Sequence, residues 1–275
     1  MVAADKVFAG SIPEVYDRLM VPLIFEPYAR DLAERVVRAE PRDVLEVAAG
    51  TGALTRDIVA RLPARVRIVA TDLNQPMLGH AAARQTHRDT LTWQQADALA
   101  LPFGDQEFDV VACQFGAMFF PDKIRGYGEA RRVLKPGGRF LFNVWDRISE
   151  NEFADVVTEA LATCFPKDPP LFMARTPHGY HNVDKIGEEL IAAGFADVSV
   201  ESVDRISRAA TPMDVAVAYC QGTPLRNEIE ARDASRLEDA TRVAADALAH
   251  RFGKGPIEGR IRAHVITASK QASSK

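Results

Sequence analysis

Short β-branched runs alternate with amphipathic helical patterns through the first half of the chain, which predicts a wound, mostly parallel sheet. Val44 to Val47 predicts a buried strand, followed by a glycine turn and a helix from Thr55 to Arg61. Val66 to Thr71 predicts a second strand, with a helix from about Pro76 to Gln85. Leu91 to Gln95 and Phe108 to Cys113 supply the third and fourth strands. A helical pattern from Ile124 to Leu134 stops at Lys135-Pro136-Gly137-Gly138, and Arg139 to Val144 gives the fifth strand. Upstream, residues 13–39 read as one or two amphipathic helices broken near Pro22 and Pro27.

Beyond residue 150 the pattern loosens. Asn151 to Phe165 is helical, Pro166 to Pro177 is a proline-rich loop, and Val183 to Ala193 is a helix capped by Gly194. A strand follows from about Asp197 to Ile206, then helix-rich residues 212–251, and Gly259 to Thr267 alternates as a last strand. Acids and bases mix from Ile229 to His250, which predicts a solvated helix face. Residues 209–256 therefore read as a helical insertion within a single domain spanning 1–275, with 146–182 as a cap.

At 275 residues and 47% hydrophobic composition the chain can bury a large core, and no repeat or low-complexity block interrupts it. A formal charge of −4 argues against a partner held mainly through phosphates, so no nucleic acid is expected. The most apolar stretch, Val110 to Phe120, is too short to span a bilayer and is interrupted by Gln114 and Gly116. No secretory h-region is visible, and Cys113, Cys164 and Cys220 are odd in number and far apart. These features predict a cytoplasmic protein with reduced thiols, no membrane attachment and no metal. H-x-x-x-H, H-E-x-x-H and C-x-x-C are all missing from the sequence.

Candidate chemistry is concentrated in residues 44–138. VLEVAAGTGALT runs a strand into a small-residue turn and a helix, where backbone can approach a ligand and the helix start offers unpaired amides. Gly50, Gly52 and Thr55 occupy the positions of a dinucleotide fingerprint, and Thr55 fits it poorly. Asp72 stands 20 residues beyond Gly52, where an acid can accept from both hydroxyls of a ribose. Asp97-Ala98 follows the third strand, where a carboxylate and an amide can meet an adenine edge. LKPGGRFLF supplies a helix stop before the fifth strand.

In this order the four pieces resemble the class I S-adenosylmethionine-dependent methyltransferases, particularly the small-molecule branch of quinone and natural-product enzymes. The resemblance covers roughly residues 12–146. The family pattern E/D-x-G-x-G-x-G is here Glu46, Ala48, Gly50 and Gly52, so Ala48 replaces the first glycine. The resemblance implies a Rossmann-like three-layer α/β sandwich with a seven-stranded, mostly parallel sheet, an antiparallel last strand and a helical cap or insertion. It implies S-adenosylmethionine as cofactor and S-adenosylhomocysteine as product. Glu46 would orient the glycine loop or receive the cofactor's ammonium through it, Ala48 and Gly50 would lie beneath the methionine portion, and Asp72 would hold the ribose. Asn74 and Met77 would flank ribose and adenine, and Asp97 and Ala98 would read the adenine edge. Gln114 and Phe115 would face the methionine end. Residues 1–40 would fold over the cofactor, with Tyr16, Phe25 or Tyr28 covering it.

Phe119, Phe120 and Trp145 follow strand ends and favour an apolar or aromatic acceptor. Arg175, His178, Tyr180 and His181 form a polar loop, with Arg175 and Tyr180 as substrate contacts and His178 or His181 as a base. The acceptor site after the fourth strand reads Cys113-Gln114-Phe115-Gly116, without the Asn-Pro-Pro-aromatic of nucleic-acid base methylases. A nicotinamide-dependent oxidoreductase and a non-catalytic cofactor-binding module remain as alternatives. The oligomeric state is left open.

Overall fold

The apolar runs at Asp43–Val47, Arg67–Asp72 and Phe108–Gln114 become strands largely buried on both faces, whereas Leu91–Gln95, at the sheet edge, is only partly covered. The computed structural model describes residues 5, 8 and 10–272. Its strands are β1 (Asp43–Val47), β2 (Arg67–Asp72), β3 (Leu91–Gln95), β4 (Phe108–Gln114), β5 (Leu134–Trp145), β6 (Ala196–Ala209) and β7 (Ile257–Ser269). They form one sheet in the order β3-β2-β1-β4-β5-β7-β6.

The first five strands pair in parallel. Leu45 sits between Val69 and Val111, and all three side chains are buried. β7 runs antiparallel to β5: Gly137 N–H donates to Lys270 O, Lys270 N–H to Gly138 O, and Asp146 N–H to Arg262 O. It also runs antiparallel to β6, as Ser202 meets His264 and Arg208 meets Glu258. The chain order of β1 and β4 reverses direction across the sheet, which makes their carboxyl ends the switch point where open α/β sheets bind ligands.

Packing divides the chain into two compact units. One contains residues 28–144, 181–202 and 264 onward, with β1 to β4 and the helices Ala53–Arg61, Gln75–Arg84 and Lys123–Val133. The other contains the described residues up to 27 together with 145–180 and 203–263. In that second unit, helix Leu237–Phe252 packs on Pro212–Gln221 and Glu152–Cys164.

Two local expectations are corrected. Pro22 does not break the N-terminal segment; Tyr16–Phe25 winds more widely than an α-helix, and Glu26 N–H reaches Val21 O five residues back. The wider winding changes which carbonyl each amide meets, so a proline without an N–H is accommodated. Pro27 sits in the first turn of helix Glu26–Arg38, where its missing N–H is not needed. Lys135-Pro136-Gly137-Gly138 lies inside β5 instead of preceding it. The β4–β5 register jumps there from Phe108↔Leu134 to Val110↔Arg139, and Gly137 takes φ +79°. Pairing with β7 keeps this irregular stretch in the sheet. Among the described residues no helix is long and apolar enough to cross a membrane.

Candidate functional site

The unit that contains β1 to β4 gathers a set of polar groups at the carboxyl end of the sheet. Asp72 is the last residue of β2 and is buried. Its Oδ2 accepts from Gly50 N–H at 2.8 Å and its Oδ1 from Asn74 N–H at 2.7 Å. The carboxylate therefore ties the turn after β1 to the start of helix Gln75–Arg84. Burial pushes its pKa up, opposed by the amides of Asn74 and Gly50. Oδ1 also accepts from Asn74 Nδ2 at 3.4 Å, so the lone pair left for a further donor is on Oδ2.

The turn itself uses left-handed backbone at Ala48 (φ +57°), Gly50 (φ +57°) and Gly52 (φ +82°). A Cβ on Gly50 would meet only Met77 Cε, at 3.7 Å, so the loop surface there is open to a partner. Ala48 carries a methyl in a conformation that favours glycine. That methyl rests against Gly116, where an added Cβ would lie 2.4 Å from Ala48 Cβ and 2.8 Å from Cys113 Sγ. Ala48 and Gly116 thus share the space of one side chain, locking the turn after β1 to the turn after β4.

Glu46 is fully buried on β1 and receives a 2.6 Å hydrogen bond from Thr55 Oγ1. Desolvation pushes its carboxyl up to about 8, with the charge of Asp72 adding to the shift and Thr55 and Arg56 opposing it. Glu46 therefore orients the first helical turn through Thr55. This explains why Thr55 stands where a dinucleotide fingerprint has a small residue.

Phe115, just after β4, is buried with φ +50°, and Tyr28 meets it edge-on at 5.5 Å. Phe115 N–H donates to Asn143 O (3.2 Å) and to Asn143 Oδ1 (3.0 Å). Gln114 is half-buried beside it. Asp97 is exposed and accepts from Leu99 N–H at 2.9 Å, with Ala98 half-buried between them. Asp72, Asn74, Gly50 and Met77 are brought together, as are Ala48, Phe115 and Tyr28 with the β4 turn. Phe120 packs on Gly126 and Tyr127, and Phe119 is half-buried. The chain's sequence pattern did not point to Thr55, Gly116 or Asn143. Asn143 carries a readable signal, a lone polar residue inside the apolar run FLFNVW.

The other unit gathers aromatic rings. Phe8 meets Tyr16 at 6.0 Å, Tyr16 stacks on Phe25 at 5.1 Å, Phe25 meets Trp145 at 5.9 Å, and Trp145 meets His178 at 6.0 Å. His178 is buried, with Nδ1 2.8 Å from Asp146 O. A carbonyl only accepts, so Nδ1 carries a hydrogen. Arg175 is engaged by Asp5 and Glu228, and Thr176 Oγ1 donates to Asp5 at 2.6 Å. Tyr180 is buried in this unit, whereas His181 belongs to the other. Among the described residues, no cluster of three or more His, Cys, Asp or Glu could hold a metal ion.

Residues 44–138 match the family model described as a methyltransferase domain. The chain is 34% identical over 142 residues to a demethylmenaquinone methyltransferase of Deinococcus radiodurans, covering 50% of this chain and 58% of the relative. It spans roughly half the length of the curated relatives it matches. Its fold is similar to that of the YcgJ protein of Bacillus subtilis (TM-score 0.56, 20% identity, 90% of this chain and 100% of that one). It is also similar in fold to phosphoethanolamine N-methyltransferase 2 of Haemonchus contortus, in complex with S-adenosylhomocysteine (TM-score 0.60, 15% identity, 98% and 61%).

Proposed function

We propose that this chain, which carries a class I S-adenosylmethionine-dependent methyltransferase domain, transfers the methyl group of S-adenosylmethionine to a small-molecule acceptor. Asp72 is the observation that carries the reading. It is a buried acid at the end of β2, already fixing the glycine turn and still able to accept from a ribose diol. The surrounding residues fit an adenosine cofactor: Gly50 leaves the loop surface open, Met77 borders it, and Asp97-Ala98 follows β3.

When bound, S-adenosylmethionine supplies a methyl carbon that accepts the acceptor's electron pair as its bond to sulfur breaks, so no covalent adduct with the protein is required. What remains for the chain is placement and exclusion of water, which can contribute on the order of 7–11 kcal/mol at best. In this reading Asp72 and Asn74 hold the ribose, and Glu46, through Thr55, keeps the turn in shape. Gln114 and Phe115 bound the methionine end, with Tyr28 behind Phe115. Half-buried Tyr16, with Phe25 and Trp145 buried behind it, offers a ring to a flat apolar acceptor, and a quinone-type ring is the class favoured by the demethylmenaquinone relative. His178 Nε2 serves as base when the acceptor carries a proton. A reducing, cytoplasmic setting belongs to the same reading, supported by free Cys113, Cys164 and Cys220.

Calorimetric titration with S-adenosylhomocysteine, with NADH in parallel, tests the cofactor. Micromolar binding of the first alone is expected, and binding of NADH alone overturns the reading. Transfer of labelled methyl to a reduced naphthoquinone tests the acceptor class.

A further inference from the structure

We propose that Asn143 is a cofactor-binding residue whose amide N–H donates to the α-carboxylate of the methionyl portion of S-adenosylmethionine. The proposal rests on the reading that this cofactor occupies the glycine turn. Asn143 lies near the carboxyl end of β5, in register with Gln114, the last residue of β4. It is completely buried. Its Oδ1 accepts from Phe115 N–H, while its Nδ2 has no hydrogen-bond partner.

The amide cannot be turned over to relieve this. Exchanging oxygen and nitrogen would set the NH2 against the Phe115 N–H, donor facing donor, so the backbone dictates which end carries the hydrogens. An unsatisfied buried donor costs about 1–3 kcal/mol. A hydrophobic residue would fill the same strand position without that cost, and its neighbours Phe142 and Val144 do so. The one turn this side chain braces is the turn after β4, where Phe115 is held at φ +50°.

Strand order indicates which part of the cofactor reaches here. Asp72 places the ribose at β2, and β1 and β4 are the next two strands; Asn143 is on the third, β5, but its amide reaches back to Phe115 N–H just after β4. At about 5 Å per strand this is a step of about 10 Å. About six bonds separate the ribose ring from the carboxylate carbon, on the order of 8 Å when extended. The end of the cofactor that reaches β4 and β5 is therefore its amino-acid end. Of the groups there, the ammonium is a donor and only the carboxylate accepts. A neutral donor meeting a carboxylate makes a charge-assisted bond, stronger than one between neutral groups.

The test is a binding cycle on the purified full chain, with S-adenosylhomocysteine and its decarboxylated analogue, S-adenosyl-3-thiopropylamine, as probes. The analogue retains adenosine, thioether and amine and lacks only the carboxylate. Wild-type protein is expected to prefer S-adenosylhomocysteine by about tenfold or more. Asn143→Leu is expected to reduce that preference to near unity with little change in analogue affinity. Asn143→Asp keeps an oxygen for Phe115 N–H and replaces the donor, so it provides the same comparison should the leucine variant fail to fold; it too should lose the preference. A preference that survives in the variants, or is missing from the wild type, overturns the proposal. Failure of the wild type to bind either probe overturns the cofactor reading itself.

Discussion

Around Gly50 the structure is fixed by hydrogen bonds and by left-handed backbone, whereas from Phe8 to His178 it is fixed by ring against ring. In the first region Asp72 engages two amides, Thr55 engages Glu46, and Ala48 and Gly116 divide one small space. Each contact has a direction or a clearance of a few tenths of an ångström. In the second, centroids 5–6 Å apart leave rings free to tilt while keeping contact. A polar site of the first kind suits one invariant ligand. An aromatic series of the second kind suits acceptors that share flatness and differ in substituents.

The largest effect should come from Asp72→Ala. Loss of two hydrogen bonds to a charged group should weaken S-adenosylhomocysteine binding about 100-fold or more by calorimetry. If the same substitution lowered turnover without changing affinity, the division of roles between the two regions would collapse. His178→Ala is the converse, with methyl transfer to a protonated acceptor reduced about 100-fold and cofactor affinity unchanged. Equal loss of both in that variant would remove the base role.

Smaller effects probe the rigidity of the turn. Gly116→Ala should destabilise the protein by about 1–3 kcal/mol in denaturant unfolding, because its methyl meets Ala48 Cβ. Adding Ala48→Gly should restore part of that loss, the clash with Cys113 Sγ remaining, and simple additivity would show that the two positions do not share space. The last effect concerns Glu46 and is read against pH. Its folded pKa of about 8 lies above the ordinary value of 4.5. The folded chain thus keeps a proton that the unfolded chain releases, and stability falls as pH rises from 4.5 towards 8. Glu46→Gln, which still accepts from Thr55, should flatten that part of a melting temperature against pH profile by a few degrees.

The parallel half of the sheet was legible because β1, β2 and β4 carry short apolar runs with β-branched residues and the turn after β1 is marked by glycine. Asp72 was legible from its distance to that turn. Ala48 was marked by standing where the family pattern has glycine, but the positive φ of Phe115 had no signal; the surrounding contacts impose it. Thr55 looked like a defect in one fingerprint, and only the buried Glu46 gives it a purpose. Pro22 was misread because helix-breaking rules assume α-helical winding. Lys135-Pro136-Gly137-Gly138 was misread because β7, more than 110 residues later, pairs with it. The aromatic series draws Tyr16, Phe25, Trp145 and His178 from three separate stretches, so local patterning could name its members without assembling them.

The position of β7 also constrains how the chain is made. It lies between β5 and β6 yet is the last of these strands in the sequence. As synthesis proceeds from the N-terminus, β6 leaves the ribosome with no neighbour, and the helices of residues 212–252 follow before its partner exists. Until residue 269 emerges, β5 presents an unpaired edge and β6 presents two. Bare strand edges are templates for joining other chains, so this interval is when the nascent protein most needs a holdase and is most exposed to aggregation. Stalling translation once residues 212–252 have left the ribosome, and before residue 257 does, should capture the parallel five-stranded sheet in a protease-resistant form with β6 still cleavable.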